Sequence, residues 1–407
     1  MEKIVVGAGH AGFQLAASLR VANFRGDISL LNGEAGLPYQ RPPLSKDFLK
    51  SGRHDALHFR GPEFFSDNEI NLVAEEAVQI DRVQRKVVTA SRNELSFDHL
   101  VIATGTVNRL LEVPGAGPDI IYIKTLGDAE GLRRRMPGFR KVVVVGGGFI
   151  GLEFAAAAAP EGIEVNVVDA ADRLMSRTAS RMVSAWFEEQ HRRSGVRFYL
   201  NATVTAIARR NGAIEGVTLN DGRQIEADAV VVGIGSVPCQ SLASEAGLTV
   251  NNGIVVDQYL RTSDPSISAI GDCSVFPSLY AASHIRLECV QNAADQAKCV
   301  ALRITGSATP YTSLPWFWSE QGDDRLQIAG LIDRHDTAVV RGAPEDRSFS
   351  VFCFQADRLV GVESVNRAAD HIVARRLLTA GSSVDPAKIA DASLDLKSLL
   401  DRHLPPS

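Results

Sequence analysis

The clearest pattern of apolar and polar positions in the chain lies between residues 141 and 153. Residues 142–145 are four consecutive valines, and so apolar a run predicts a central parallel strand that is buried on both faces. Three glycines in the order G-x-G-x-x-G follow it, namely Gly146, Gly148 and Gly151. The pattern therefore predicts a strand, a glycine-rich turn and the beginning of a helix.

This turn has the features of a dinucleotide site. The first glycine permits the tight turn, the second lets backbone approach a pyrophosphate, and the third lets the helix pack on the strand. The helix N-terminus adds free N–H groups and a positive dipole end. Asp169 ends the next predicted strand, 164–169, where its carboxylate would accept hydrogen bonds from a ribose and repel a 2′-phosphate. We therefore expect NADH to be preferred over NADPH, although Arg173 and Arg177 weaken that exclusion.

A second copy of the pattern begins the chain. Residues 3–6 predict a short strand, and Gly7, Gly9 and Gly12 repeat the fingerprint before a helix that runs to about residue 20. After the next predicted strand, 27–31, Glu34 is the candidate for the ribose acid. Two fingerprints imply two nucleotides. One would be FAD, held permanently, and the other a nicotinamide nucleotide that comes and goes.

Three further buried strands are predicted to end at residues suited to a cofactor. They cover 97–105, 228–235 and 268–272, and the carboxylate of the last would bond the polar chain between a flavin ring and its pyrophosphate. A helix around 288–298 would turn its N-terminal N–H groups to the pyrimidine end of the flavin. The residues at these strand ends are Ala103, Thr104, Gly105, Gly235, Gly271 and Asp272.

Two other stretches predict local structure. Residues 37–46 contain three prolines, which stiffen the segment and let Arg41 and Lys46 hold positive charge against a cofactor. Composition alone would instead favour a surface loop with solvated charges. The alternating pattern from residue 71 to residue 90 predicts short antiparallel strands.

These elements define an α/β fold with two Rossmann-like domains and a small α+β domain. The FAD-binding domain is discontinuous and covers 1–108 and 231–310, and the NAD-binding domain, 109–230, is inserted into it. The C-terminal domain covers 311–407. Its predicted strands and helix are 326–330, 337–341, 348–354, 359–365 and 368–378.

Length, composition and charge narrow the class of protein. The 407 residues predict two or three domains, and a net charge of −5 offers no general attraction to nucleic acid or to an anionic membrane. No run of about 18 apolar residues predicts a membrane span, and no leader pattern precedes the first strand, so a cytoplasmic protein is expected. The five cysteines are scattered and form no C-x-x-C, which indicates free thiols rather than disulfides or a metal site.

The order of motifs along the chain resembles that of a known family. It runs from the first fingerprint through Pro-Pro-Leu-Ser-Lys, Ala-Thr-Gly, the second fingerprint with Gly-Leu-Glu, and Gly-Asp to Pro-Trp-Phe-Trp-Ser. Over essentially the whole chain this resembles the NADH-dependent, FAD-containing ferredoxin reductases of bacterial oxygenase systems. The resemblance implies a glutathione-reductase-like architecture, FAD and NADH as cofactors, and a [2Fe–2S] ferredoxin as partner. The sequence leaves the oligomeric state open, and we expect a monomer.

The resemblance also implies roles for individual residues. Lys124 stands where an arginine is common, and Gly33 replaces a frequent acid, which leaves Glu34 as the ribose partner. Composition alone favours a core position for Trp316, whereas the resemblance places it near the flavin face. The resemblance implies FAD contacts for Ala11, Lys46, Ala77, Lys124, Asp272, Val290 and Trp316. The motifs described above add candidates for the FAD site: Gly7, Gly9, His10 (expected only as a turn residue), Gly12, Gly33, Glu34, Arg41, Ala103, Thr104, Gly105 and Gly271. The resemblance places Glu153 near the nicotinamide, and the second fingerprint and the elements around it add candidates for the NADH site: Gly146, Gly148, Ile150, Gly151, Asp169, Arg177 and Gly235.

The implied reaction passes hydride from NADH to flavin N5 and then single electrons to a ferredoxin that supplies a haem monooxygenase or a ring-hydroxylating dioxygenase. Lys46 and Glu153 are the catalytic candidates, with Lys46 placing positive charge near N5 and pairing with Glu153. Two alternatives stay open. An NADH oxidase or peroxidase is one, although a thiol-dependent enzyme needs a cysteine beside the flavin and residues 37–46 contain none. A redox-sensing protein like apoptosis-inducing factor is the other.

Overall fold

The protein is represented by a computed structural model that describes residues 2–400. Residues 1 and 401–407, the ends of the predicted first and last domains, lie outside the described residues. The strands are β1 (Glu2–Val6), β2 (Asp27–Leu31), β3 (Ile70–Val73), β4 (Ala77–Asp81), β5 (Lys86–Thr89), β6 (Glu94–Ser96), β7 (His99–Ile102), β8 (Thr106–Asn108), β9 (Lys141–Val145), β10 (Glu164–Val168), β11 (Arg197–Tyr199), β12 (Val204–Arg210), β13 (Ala213–Leu219), β14 (Gln224–Glu226), β15 (Ala229–Val232), β16 (Ser236–Pro238), β17 (Ile254–Val255), β18 (Ile267–Ala269), β19 (Ser274–Ser278), β20 (Ser283–Ile285), β21 (Trp316–Gln321), β22 (Asp324–Gly330), β23 (Thr337–Ala343), β24 (Ser348–Gln355) and β25 (Arg358–Val365). The helices are α1 (His10–Val21), α2 (Asp47–Ser51), α3 (Pro62–Asp67), α4 (Leu126–Arg135), α5 (Phe149–Ala158), α6 (Arg181–Arg193), α7 (Ser241–Glu245), α8 (Val290–Ile304), α9 (Ala368–Ala380) and α10 (Pro386–Ala390).

The first of two compact units combines residues 2–41, 53–107 and 236–315. Its main sheet has the order β18–β7–β1–β2–β3, and every neighbouring pair is parallel. All four residues of β7 are buried, as expected for a central strand covered on both faces. Helices α1 and α8 pack against each other beside this sheet. The unit therefore has the layered arrangement in which cofactors bind at the carboxyl ends of parallel strands.

One strand prediction in this unit is wrong. The alternation from residue 71 to residue 90 predicts only antiparallel strands, yet β3 pairs parallel with β2 at the edge of the main sheet. The remaining strands of the stretch, β4 and β5, are antiparallel as predicted. The alternating pattern arises because an edge strand has one face open to solvent whichever way it is paired.

The second unit combines residues 42–52, 108–235 and 316–400. Its parallel sheet has the order β11–β10–β9–β15, with the four valines of β9 in the middle. An antiparallel sheet, β12–β13–β14, belongs to the same unit. The predicted pattern of a valine strand followed by a glycine turn and helix α5 is confirmed.

The C-terminal part of this unit is an antiparallel sheet in the order β21–β22–β25–β24–β23. Helix α9 packs on β22 and β25. A single apolar core joins this sheet to helices α5 and α6, since Leu152 and Phe187 pack in one cluster with Leu326, Ile328 and Val351. The fold class predicted from the sequence, two parallel α/β sheets and a separate α+β sheet, is confirmed.

Several boundaries differ from the predictions. Strands β7 and β15 end at Ile102 and Val232, so residues 103–105 and Gly235 follow the strands rather than ending them. Strand β18 ends at Ala269, so Gly271 and Asp272 lie in the 3-10 turn Gly271–Cys273 rather than in the strand. Helix α8 begins at Val290 and runs six residues beyond the predicted end at residue 298. Among residues 2–400, no helix is both long and apolar enough to span a bilayer.

The joint core predicts that the C-terminal sheet and the second parallel sheet lose structure together. Leu326→Ala should destabilise the second unit by about 2–5 kcal/mol, because Leu326 is fully buried in that core. The three tryptophans, Trp186, Trp316 and Trp318, all belong to this unit, so tryptophan fluorescence during thermal unfolding reports the effect. Leu110→Ala is the matched control, since its side chain is 60% exposed and the cost should stay within about 0.5 kcal/mol. Equal shifts in melting temperature for the two variants would contradict the joint core.

Candidate functional site

The first fingerprint lies where β1 turns into α1. Gly7 has φ +103°, and a Cβ built there would overlap the Ala103 carbonyl oxygen at the end of neighbouring strand β7. A Cβ on Gly12 would overlap the Gly7 carbonyl oxygen. Gly9, in contrast, has nothing within 4 Å of its Cβ position. The first and third glycines are thus required by packing, whereas the second faces open space at the helix N-terminus.

The second fingerprint repeats this geometry in the other unit. Gly146 has φ +107°, and its Cβ would overlap the Gly233 carbonyl oxygen beyond β15. A Cβ on Gly151 would overlap the Gly146 carbonyl oxygen, while the nearest atom to a Cβ on Gly148 is 4.0 Å away. Each turn therefore leaves a cradle at its second glycine where a pyrophosphate fits.

The Asp169 carboxylate follows β10 and lies against the second fingerprint. Its Oδ2 accepts a hydrogen bond from the Gly147 amide at 2.5 Å, and its Oδ1 accepts from the Ala171 amide at 2.7 Å. Of the two nearby arginines, Arg173 donates to backbone carbonyls of its own segment, while Arg177 is exposed. The geometry keeps Asp169 at the position that a ribose hydroxyl would approach.

Glu34, the candidate acid of the first site, is held by two partners of the same unit. The Tyr39 hydroxyl donates to one carboxylate oxygen, and the Arg41 guanidinium donates to the other. The neighbouring Gly33 is exposed, and a Cβ there would approach the Glu76 side chain at 3.5 Å. The predicted cation Arg41 therefore serves first to orient Glu34.

Beside the strand ends of the first unit, helix α8 carries a buried side-chain donor that has no partner among residues 2–400. Gly271 has φ +76° and donates its N–H to Gln296 Oε1 at 2.7 Å. Gln296 is fully buried, and its Nε2 has no hydrogen-bond partner among the described residues. Thr104 donates to the Cys239 carbonyl oxygen at 2.7 Å. Together with the open glycine cradles, this unsatisfied donor fits a unit that holds a polar cofactor.

The other residues implied for FAD occupy three different elements of the first unit. His10 is the first residue of α1 rather than a turn residue, and it packs edge-on against Phe59 at 4.9 Å between ring centroids. Burial, and secondarily Arg41, lowers the pKa of His10 to about 4, so the ring is neutral at pH 7. Ala11 is buried in the same helix, and Ala77 and Val290 begin β4 and α8.

The predicted pair of Lys46 and Glu153 is present in the second unit. Lys46 Nζ lies 3.1 Å from Glu153 Oε1 and 3.8 Å from a carboxylate oxygen of Glu320. The Ser45 and Ser319 hydroxyls each donate to Glu153 at 2.6 Å. Glu153 is 7% exposed, and burial raises the pKa of its carboxyl while Lys46, Ser319 and Ser45 oppose the rise.

The surroundings of this pair were only partly predictable. Ser45, Ser319 and Glu320 are functional candidates that sequence reasoning missed, although the first two stand inside the quoted Pro-Pro-Leu-Ser-Lys and Pro-Trp-Phe-Trp-Ser motifs. A cavity of about 260 Å³ opens beside the pair and is lined in part by Lys46, Glu153 and Glu320. Water can therefore reach one side of an otherwise buried ion pair.

Trp316 and Lys124 lie in the second unit and are only partly buried. The Arg375 guanidinium is 4.3 Å from the centroid of the Trp316 ring, and the His371 ring is 5.4 Å away. Trp316 Nε1 is buried without a hydrogen-bond partner among residues 2–400. The Lys124 amide donates to Asp128, which caps helix α4. Most buried donors in proteins are paired, so this N–H sets Trp316 apart from a fully satisfied core tryptophan, and its place near a flavin stays a prediction.

The residues implied by the sequence therefore form two groups, and each group belongs to one unit. The first fingerprint, Glu34 and the strand ends at 103–105 and 271–272 belong to the first unit. The second fingerprint and its acid belong to the second unit together with Ile150, Gly235, Lys46, Lys124 and Trp316. Ile150 is exposed in the first turn of α5, and Gly235 has φ +100° beyond β15.

Comparison with known proteins agrees with this geometry. Residues 1–297 match the family Pyridine nucleotide-disulphide oxidoreductase, and residues 316–400 match the family Reductase C-terminal. The chain is 48% identical to rhodocoxin reductase of Rhodococcus erythropolis over 406 residues, covering 99% of this chain and 95% of that protein. It is 35% identical to putidaredoxin reductase of Pseudomonas putida, covering 98% and 96%.

Among solved structures, the chain is similar to the ferredoxin reductase for the CYP199A2 system of Rhodopseudomonas palustris. The TM-score is 0.96 at 50% identity, and the match covers 98% of this chain and 99% of that one. The covalent complex of putidaredoxin reductase with putidaredoxin gives a TM-score of 0.95 at 35% identity, with 99% and 98% covered. The resemblance drawn from the sequence is confirmed: the chain belongs to the pyridine nucleotide-disulphide oxidoreductase family, among the ferredoxin reductases with a Reductase C-terminal domain.

Proposed function

We propose that this protein is an NADH-dependent, FAD-containing reductase that passes electrons from NADH to a ferredoxin. The observation that carries the proposal is the repeated fingerprint, in which both turns keep an open cradle at the second glycine. One turn would hold the FAD pyrophosphate and the other the NADH pyrophosphate. Asp169 would accept the adenosine ribose hydroxyls of NADH, and Glu34, oriented by Arg41, would accept those of FAD.

The flavin, when bound, supplies the conversion of two-electron hydride chemistry into single-electron transfer. Lys46 would stabilise the negative charge of a reduced flavin through its own positive charge. Glu153 orients the ammonium group, because Lys46 Nζ lies 3.1 Å from Glu153 Oε1. Ser45 and Ser319 hold the Glu153 carboxylate in place through two hydrogen bonds. We assign Lys46 and Glu153 as catalytic residues, and Trp316, Lys124, Ala77 and Val290 as further FAD contacts.

We further propose the type of ferredoxin, the oligomeric state, the cellular location and the domain bounds. The ferredoxin is of the [2Fe–2S] type and supplies a haem monooxygenase or a ring-hydroxylating dioxygenase. A monomer suffices, because one chain carries both fingerprints and the Lys46–Glu153 pair. The cysteines described in the structure are all free thiols, which suits the reducing cytoplasm. The proposed domains are 1–108 with 231–310 for FAD, 109–230 for NAD, and 311–407 for the C-terminal domain.

The cysteines also weigh against a thiol-dependent peroxidase or disulfide reductase. Such enzymes use a cysteine whose pKa is lowered, so that the thiolate forms at neutral pH. Burial instead raises the pKa of Cys289 to about 12 and also raises that of Cys273. Cys273 and Cys289 therefore lack the low pKa of a reactive thiolate, which supports a ferredoxin rather than either of these thiols as the acceptor of the electrons.

The proposed electron path predicts a partner-dependent activity. With NADH as reductant, cytochrome c should be reduced rapidly only after a [2Fe–2S] ferredoxin is added, because the cluster carries single electrons away from the reductase. The rate of cytochrome c reduction is measured with and without the ferredoxin, and oxygen consumption is recorded in parallel. A fast NADH-dependent rate of oxygen consumption that the ferredoxin leaves unchanged would favour the NADH oxidase instead.

The two open cradles predict separable defects. In Gly9→Ala the fold should persist, because nothing lies within 4 Å of the new methyl group and the φ of Gly9 is −71°. The methyl group would occupy the pyrophosphate space and weaken FAD binding about tenfold or more, since a hydrogen bond to a charged group contributes about 1.5–3 kcal/mol. Gly148→Ala should keep the FAD and weaken NADH binding instead. FAD content and NADH affinity are measured for both variants, and identical defects would contradict the assignment of the two turns.

The ion pair predicts a kinetic defect in Lys46→Ala. The rate of flavin reduction by NADH in a stopped-flow experiment should fall about tenfold or more, because a fixed positive charge is lost. Lys388→Ala is the matched control, since it removes the same charge from an exposed position on α10 that does not line the cavity beside Lys46. A reduction rate in Lys46→Ala equal to that of the control would remove the catalytic role of Lys46.

A further inference from the structure

The C-terminal sheet contributes a buried carboxylate that is outside the reaction described above. Glu363 lies on β25 and is 0% exposed. Its Oε1 accepts a hydrogen bond from the Ser180 amide at 2.8 Å. Its Oε2 is buried and has no hydrogen-bond partner among the described residues. Burying a carboxyl oxygen without a hydrogen-bond partner costs stability, so the presence of Glu363 at this position is not explained by packing alone.

Ser180 connects Glu363 to a segment of the parallel-sheet region, residues 172–180. Ser180 is the N-cap of α6 and accepts from the Val183 amide through its hydroxyl. Within the segment, the Arg173 guanidinium donates to the Ala179 carbonyl at 2.7 Å and to the Ser176 carbonyl at 2.6 Å. These bonds fold the segment back on itself, so that a bond made at Ser180 fixes the residues before it.

The segment carries Arg177 to the carboxyl ends of the parallel strands. Arg177 is exposed, and its Nη2 lies 3.5 Å from the position that a Cβ on Gly235 would take. The segment follows β10, whereas Gly235 follows β15, and these two strands flank β9 in the sheet. The Arg177 side chain therefore reaches past the end of β9, where the second fingerprint begins at Gly146.

We propose that Glu363 is a positioning residue for NADH: by holding the Ser180 amide it places the 172–180 segment, and with it Arg177, at the second fingerprint. The proposal rests on the NADH site proposed above. It gives the C-terminal domain a part in NADH binding, because Glu363 lies on a strand of that domain. Arg177 offers positive charge to the adenosine or phosphate part of the nucleotide, and Glu363 acts only through the segment.

The charge state of Glu363 follows from the groups that face it. Burial dominates and raises the pKa of Glu363 to about 7, whereas hydrogen bonding from Ser180 and, more weakly, the charges of His335 and Arg173 favour the ionised form. Its register neighbours Ile328 on β22 and Val351 on β24 are apolar, and burial also raises the pKa of the nearby Cys353 thiol, which stays neutral. Either state of the carboxyl keeps an oxygen that can accept from the Ser180 amide.

The test measures NAD⁺ binding to the FAD-loaded enzyme by calorimetry and the limiting rate of flavin reduction at saturating NADH. Glu363→Ala should raise the Kd for NAD⁺ by roughly three- to tenfold, as for the loss of one hydrogen bond. The limiting rate should stay unchanged, because the reacting groups are untouched. Glu363→Gln keeps an acceptor and should bind NAD⁺ like the wild type. Asp370→Asn is the control, since Asp370 is a buried acid of the same domain that bonds to Ser350 and Arg367 instead.

A double-mutant cycle separates positioning from general damage. Glu363→Ala should add little to the defect of Arg177→Ala, because both changes remove the same contribution to binding. Independent, additive effects, or an unchanged Kd in Glu363→Ala, would overturn the positioning role. If the wild type itself failed to bind NAD⁺ and NADH did not reduce its flavin, the proposed function would fail instead, so the two failures are distinguishable.

The raised pKa gives a second readout through stability. Folding favours the protonated carboxyl, so the stability that Glu363 contributes is fully present below its ordinary pKa of 4.5 and is lost as the pH rises through about 7. The melting temperature of the wild type, taken relative to Glu363→Gln, should therefore fall between about pH 5 and pH 8. A constant difference over that range would show that folding does not raise the pKa of Glu363.

Discussion

The structure depends on the close approach of backbone atoms at two strand–helix crossings. At Gly7 and Gly12, and again at Gly146 and Gly151, a Cβ would overlap a carbonyl oxygen, so only glycine allows the helix to begin where it does. Because the helix begins directly after this close contact, its first backbone N–H groups have no partner within the helix. Such groups can bind phosphate. The shape of each cradle is therefore a consequence of packing, and its capacity to bind a dinucleotide follows from the same glycines.

The second constraint is the cost of burying charge. Glu153 is buried in the helix that follows the second cradle. The cost of burying its charge is offset by the ion pair with Lys46 and by hydrogen bonds from two serine hydroxyls. Those partners come from the proline-rich turn before α2 and from the first strand of the C-terminal sheet. Each belongs to the second unit, so the ion pair is set by the packing of that unit. A buried pair of this kind is weak evidence for stability, because the cost of removing two charges from water offsets much of their attraction.

Local patterns predict the parts of the fold that local chemistry determines. The valine strand, the glycine turns and the acid at Asp169 each follow from spacing along a few residues. The direction of β3 does not, because an alternating edge strand looks alike in either orientation. Ser319 and Glu363 are also beyond local reasoning, since their partners are more than 160 residues away. In the sequence, Glu363 is distinguished only as the single acid of the largely apolar strand β25.

The central claim is that one chain holds two nucleotides, one of them a flavin that NADH reduces and a ferredoxin reoxidises. An anaerobic titration of the FAD-loaded protein tests this most directly, with flavin absorbance followed as NADH and then oxidised ferredoxin are added. The account predicts that one NADH bleaches each flavin and that two equivalents of a one-electron ferredoxin restore its colour. A flavin that stays oxidised in excess NADH, or one that bleaches but is not restored by any ferredoxin, would contradict it.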